Sequence, residues 1–218
     1  MAWLDAEERQ RYERFKHPDA ARRFFLARVL LKSVVAAMEG TPPQSITLSY
    51  SANGKPCLPG PGRPYFSISH SASAVAVAVA PFDIGVDLET VDRPTQPWMR
   101  PALFLHPDEA EQVAALPETR RALAFTHRWT CQEAAIKLLD SSVFNREARV
   151  KFGEDASTGV CAGRQICFSS WKPHPDTGTA APFNENAGLE EDGLLLSLAA
   201  AQPLPQVLFE RWRWNEVL

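Results

Sequence analysis

Two acids separated by one residue, Asp87 and Glu89, close the apolar stretch Ile84-Gly-Val-Asp-Leu-Glu. In an extended chain alternate side chains share a face, so both carboxylates point the same way. Like charges that close repel unless a cation or a proton lies between them. Oxygen ligands of this kind suit magnesium, which keeps waters and completes its shell from substrate phosphates; the plainer reading is a solvent-facing pair at a strand end. A second candidate is Glu133 with Lys137, in Trp129-Thr-Cys-Gln-Glu-Ala-Ala-Ile-Lys. On a helix they lie one turn apart on one face, which describes an ordinary ion pair. Trp129, Ile136 and Leu138 make the surroundings apolar. A partly buried carboxylate beside a lysine can also complete a metal site or take a proton, with the lysine answering phosphate charge. Ser69 and His70 end the run Phe66-Ser-Ile-Ser-His, where a strand enters a polar turn. Taken alone, such a histidine reads as structural. Lys55 sits in the tight turn Asn53-Gly-Lys-Pro, where a cation is well placed to reach a ligand.

The elements that must position these groups follow from periodicity and punctuation. A charged helix covers 5–15, and Pro18 with Asp19 starts a second, amphipathic helix running to 38, ended by Gly40, Pro42 and Pro43. Strands are expected over 46–50, 65–69, 74–80 and 84–88. The third alternates Val with Ala and has little bulk on one face; the fourth contains Gly85, a point of close approach. Helices return over 101–139, with a start at Pro107 and a long segment from 119 to 139. Strands then follow over 150–152, 165–169, 194–200 and 207–213, with a mobile loop over 173–192 rich in Pro, Gly, Asn and acids. Helices followed by strands, twice, describe an α+β (α/β) chain of two similar halves with a site between them.

Composition narrows the class. At 218 residues and a net charge of −3, the chain carries no global basic field for nucleic acid. The basic run over 9–32 reads mostly as a solvated helix face. Cys57, Cys131, Cys161 and Cys167 are scattered, which supports neither a zinc knuckle nor a redox pair. No signal core opens the chain, and the longest small-apolar run, 72–81, is too short to span a bilayer. A reduced, cytoplasmic protein is the expectation.

Gly54-Lys55-Pro56, Ile68-Ser69-His70, Gly85-Val86-Asp87-Leu88-Glu89 and the segment from Trp129 to Lys137 occur in an order and spacing that resembles the Sfp-like 4′-phosphopantetheinyl transferases. Arg11 and the stretch Arg23-Phe-Phe-Leu-Ala-Arg28 also look familial, so the resemblance covers roughly residues 5–139. It implies two pseudo-symmetric halves, residues 1–98 and 99–218, with coenzyme A in the cleft between them. It implies that Asp87, Glu89 and Glu133 hold Mg²⁺ against the coenzyme A diphosphate. Arg11 would meet the 3′-phosphate, and Lys55 with the Ser69–His70 turn the nucleotide phosphates. Lys137 would steady the departing 3′,5′-ADP, and Glu133 or a metal-linked water would take the proton of the attacking serine on an acyl or peptidyl carrier protein. A monomer is implied, with neither nucleic acid nor membrane as partner. The chain departs from the family pattern in two places. Gln132 stands where a lysine is usual, and Leu139-Asp-Ser-Ser-Val-Phe replaces a glycine-rich segment. The alternatives are a relative that binds coenzyme A or a carrier without transfer, and a magnesium-dependent phosphate-ester hydrolase.

Overall fold

The structure, a computed structural model, describes residues 2–91, 100–154, 156–173, 180–183, 193–204 and 206–209. Asp5 starts helix α1 (Ala6–Glu13). Its carboxylate accepts from the Glu8 amide while Glu8 accepts from the Asp5 amide, a reciprocal cap. Helix α2 (Pro18–Glu39) begins on a proline, whose missing N–H is harmless in the first turn, and ends at Gly40 in the left-handed conformation, φ 65°. Its stripe of Leu31, Val35 and Ala36 buries against Ile46, Leu58 and Phe66. Arg28 and Lys32 depart from the solvated reading of the basic run. Both are buried, because buried Glu8 of α1 meets Lys32 Nζ at 2.6 Å and Arg28 Nε at 3.1 Å. A charge triad of this kind ties α1 to α2, and losing one member would strand the others.

Strands β1 (Ser49–Tyr50) and β2 (Pro56–Cys57) make a small hairpin. The strand expected over 46–50 is confined to its last two residues; Ile46 follows a 3₁₀ turn and plugs the core under α2. Strands β3 (Tyr65–His70) and β4 (Val75–Ala80) pair antiparallel. Phe66, Ile68, Val77 and Val79 pack toward α2. The opposite face carries Ser67, Ser69, Ala76, Ala78 and Ala80, and this low relief lets Ile84, Val86 and Leu88 of β5 (Ile84–Thr90) settle against it.

No backbone ladder joins β5 to β3. The outward amides of β5 are met by side chains: Val86 N–H donates to Ser67 Oγ at 3.0 Å and Leu88 N–H to Ser69 Oγ at 3.2 Å. An edge that would otherwise leave buried donors unpaired is closed by hydroxyls. On its other side β5 pairs antiparallel with β10 (Leu194–Ala200), the start of a sheet ordered β5-β10-β8-β7-β6, with β9 along β8. The remaining strands are β6 (Lys151–Phe152), β7 (Thr158–Cys161), β8 (Arg164–Pro173) and β9 (Ala180–Pro182).

Helices α3 (Pro101–Phe104) and α4 (Pro107–Ala115) lead into α5 (Glu118–Leu138), a 21-residue helix laid across β5 and β10. The close approach expected at Gly85 is made by helix backbone. A Cβ there would collide with the Ala134 carbonyl oxygen and stand 2.8 Å from the Leu138 nitrogen.

The chain is thus mixed α+β, with a long helix against antiparallel strands in each half. The proposed boundary between residues 98 and 99 lies outside the described residues. Three further expectations need correction. β7 was not anticipated; it turns into β8 through Ala162 and Gly163, both at positive φ (49° and 72°), a hairpin turn without the usual Asn-Gly signal. The expected loop over 173–192 contains β9. Residues 207–209 of the expected strand over 207–213 are irregular, and the rest lies outside the described residues. Among the described residues no helix is long and apolar enough to cross a membrane.

Candidate active site

The pleat of β5 turns Gly85, Asp87 and Glu89 toward α5, which presents Glu133 and Lys137. Asp87 is buried, at 4 % exposure. Its Oδ1 accepts from Lys137 Nζ at 2.6 Å and from Ser69 Oγ at 2.7 Å. Ser69 Oγ also accepts from Lys137 Nζ at 2.9 Å and from the Leu88 amide. One hydroxyl therefore uses its hydrogen and both lone pairs to tie β3, β5 and α5 at a single point. Asp87 Oδ2 is buried too, and has no partner among the described residues.

Glu133 stands near this knot. Burial pushes its carboxyl up to about 7; Asp87 and Glu89 push the same way, and Lys137 pulls against them. Repulsion from both acids places the three carboxylates within electrostatic reach of each other. Glu89 is held from α5: Trp129 Nε1–H donates to its Oε1 at 3.2 Å. The indole is fixed in turn by Phe125, stacked at 6.4 Å, and by Phe104, edge-on at 5.3 Å.

His70 ends β3 on the exposed side. Partial covering of its ring, with Arg23 and Lys137 nearby, holds the imidazole below the ordinary histidine value, against its own backbone hydrogen bond and Asp87. Arg23, His70 and Lys137, from three elements, therefore share one electrostatic neighbourhood. Arg11 and Lys55 are placed differently. Arg11 lies on α1 with its guanidinium 5.5 Å above the Phe24 ring. Lys55 Nζ bonds Asp83 Oδ1 at 2.9 Å and the Leu138 carbonyl at 3.1 Å, beside Lys137 rather than within the acid cluster.

Sequence reasoning missed Ser67 and Arg23 as site neighbours, and the hold of Trp129 on Glu89. The alternation Ser67-Ile-Ser69 carried the first signal, because two serines on one strand face have to bond something when buried. Gln132 is also reassigned. It points into the core, where Nε2 donates to the Ala148 carbonyl at 2.6 Å and Oε1 accepts from the Val150 amide at 2.7 Å. Lysine carries no acceptor and could not make that pair of bonds.

Among the described residues, no three carboxylate, histidine or cysteine side chains stand close enough to enclose an ion. Lys137 already neutralises one oxygen of Asp87. A divalent cation nevertheless suits the donors present. They are all oxygen, and one is the buried, orphaned Asp87 Oδ2.

Comparison with known proteins agrees with this geometry. The family model described as 4′-phosphopantetheinyl transferase, N-terminal, matches residues 1–82, and that of the 4′-phosphopantetheinyl transferase superfamily matches 83–176. The seam between the two falls just before β5. The 4′-phosphopantetheinyl transferase HetI of Nostoc is 32% identical over 151 residues, covering 67% of this chain and 63% of the relative. A 4′-phosphopantetheinyl transferase of Bacillus subtilis is 28% identical over 172 residues, covering 77% and 76%. The 4′-phosphopantetheinyl transferase Sfp of Bacillus subtilis strain 168 is 30% identical over 139 residues, covering 63% and 60%. The matched stretch thus spans about three-fifths of the length of HetI and Sfp. With two family models meeting end to end across residues 1–176, and with the acids and lysine of its motifs gathered between β5 and α5, the chain belongs to the Sfp-like 4′-phosphopantetheinyl transferase superfamily.

Proposed function

We propose that this chain transfers the 4′-phosphopantetheine group of coenzyme A to a serine of an acyl or peptidyl carrier protein, with Mg²⁺ and with release of 3′,5′-ADP. The observation that carries the reading is the knot of Asp87, Ser69 and Lys137 beside a Glu133 carboxyl raised to about 7. Phosphoryl transfer asks chiefly for positioning and charge neutralisation, and the chain supplies cations for phosphate together with carboxylates for a metal. Asp87, Glu89 and Glu133 would hold Mg²⁺, which when bound draws charge from the diphosphate oxygens.

The chain's own residues account for the rest. Arg11 and His70 meet phosphate groups of coenzyme A, while Ser69 and Lys55 act at its border, where the structure has them bonded. A serine hydroxyl oxygen of the carrier attacks the phosphorus that bears pantetheine. A new O–P bond forms as the bond to the 3′,5′-ADP oxygen breaks, and the serine proton passes to Glu133. A carboxylate oxygen within reach of the attacking hydroxyl is suited to take that proton. Lys137, one turn along the same helix face from Glu133, answers the charge gathering on the leaving phosphate. In this reading coenzyme A lies between two similar halves, residues 1–98 and 99–218, in a cytoplasmic monomer acting without nucleic acid or membrane.

The test is incubation with coenzyme A, Mg²⁺ and a panel of apo-carrier proteins, read by mass spectrometry. The expected result is one phosphopantetheine increment on a carrier serine, lost in Glu133→Ala. No increment on any carrier at any metal concentration removes the proposal. Release of 3′,5′-ADP without an acceptor would point to hydrolysis instead.

A further inference from the structure

The turn between β1 and β2 ends a helix that belongs to the other half of the chain. Ser51 shapes the turn: its Oγ accepts from the Asn53 and Lys55 amides at 3.2 and 3.0 Å. Gly54 follows at φ 86°, a conformation glycine adopts freely. Two side chains are thereby aimed at the carbonyl end of α5. Lys55 Nζ donates to the Leu138 carbonyl at 3.1 Å and is braced by Asp83 at 2.9 Å, while Asn53 Nδ2 donates to the Asp140 carbonyl at 2.8 Å. The last carbonyls of a helix have no partner within it, and a positive charge there also favours the helix dipole. Leu138 is the neighbour of Lys137, so the contact lies next to the lysine that grips Asp87.

We propose that Asn53 and Lys55 are positioning residues, a clamp by which the 51–55 turn fixes the last turn of α5 and so holds Lys137 on Asp87. Lys55 then acts through helix α5 rather than by touching phosphate. The pairing of a neutral donor with a cation separates the two roles, because Asn53 has no charge to offer a phosphate.

Hydrogen exchange on the free full-length chain tests the clamp without any substrate, so its outcome is independent of the transferase reading. Lys55→Met and Asn53→Ala should each speed exchange of the Leu139 and Ser141 amides by about fivefold or more, as expected for a lost helix-end partner, with α2 amides unchanged. Unchanged exchange in both variants overturns the clamp. A second arm rests on the transferase reading. Both variants should lower kcat while coenzyme A affinity, measured by calorimetry, stays within about twofold. A weakening of coenzyme A binding by about tenfold or more in Lys55→Met, with Asn53→Ala unaffected, would instead make Lys55 a phosphate ligand and overturn its assignment as a positioning residue.

Discussion

Gly85 of β5 lies directly beneath the carbonyl oxygen of Ala134 on α5, with no room between them for a methyl group. That spacing sets how far Glu133 and Lys137 stand from Asp87. Gly85→Ala must push the helix away through backbone, which cannot yield as a side-chain tip does. The variant should lose about 3 kcal/mol or more of stability in urea unfolding, the upper end of overpacking costs. A loss under about 0.5 kcal/mol, the range of ordinary surface changes, would mean that α5 is not seated on β5 as described.

Lys137 is the cation bonded to buried Asp87. Lys137→Met should cost about 2–4 kcal/mol, most of it from leaving Asp87 charged and unpaired. The double variant Asp87→Asn/Lys137→Met should recover part of the loss, because the amide carries no charge to strand. Equal stability of the single and double variants would contradict the pairing.

Glu133 gives a pH dependence of definite sign. Its carboxyl titrates at about 7 when folded against an ordinary 4.5, so the folded chain holds that proton more tightly than the unfolded chain. The metal-free protein should lose stability as pH rises from about 4.5 to about 7 and level off above that range. In Glu133→Gln that component of the slope vanishes, and at pH 8 the variant should be more stable than the parent by on the order of 1–3 kcal/mol. Parallel stability–pH curves for the two chains would show that Glu133 is neither buried nor repelled by Asp87 and Glu89 as described.

Gln132 makes two buried bonds to the 148–150 segment. Gln132→Lys, which restores the residue usual in the family, should destabilise the chain by about 2–4 kcal/mol, since it removes an acceptor and buries an ammonium. Coenzyme A affinity should not improve. Tighter binding with unchanged melting would show that position 132 faces the ligand after all.

Trp129→Phe keeps a flat apolar ring between Phe125 and Phe104 but removes the N–H that holds Glu89. The Mg²⁺ midpoint for activity should rise by about tenfold, the lower end of losses when an outer partner of a metal ligand is removed, with little change in melting temperature. An unchanged midpoint would separate Glu89 from the metal.

Much of this arrangement was legible in residue order. One-residue spacing placed Asp87 and Glu89 on one face, four-residue spacing placed Glu133 and Lys137 on another, and the isolated Gly85 announced a close approach, which the backbone of α5 makes. The Val–Ala alternation of β4 foretold a low face, and β5 lies on it. What escaped depended on partners distant along the chain. Arg28 and Lys32 read as a solvated face because nothing near them reveals Glu8 arriving from α1. Gln132 read only as a departure from the family pattern, because the backbone groups it satisfies lie 16 and 18 residues further on. Strand β7 hid behind Gly159, which the close packing of Val150 and Lys151 requires but which lowers any strand propensity.

Two serine hydroxyls, and not a run of backbone hydrogen bonds, stitch β3 to β5. A ladder of backbone hydrogen bonds survives most side-chain replacements; a stitch made of side chains can be unpicked one residue at a time. Ser67→Ala and Ser69→Ala would each open one stitch while leaving the neighbouring sheets their own ladders. The hold of β3 on β5 therefore rests on two codons as well as on the apolar contact between them.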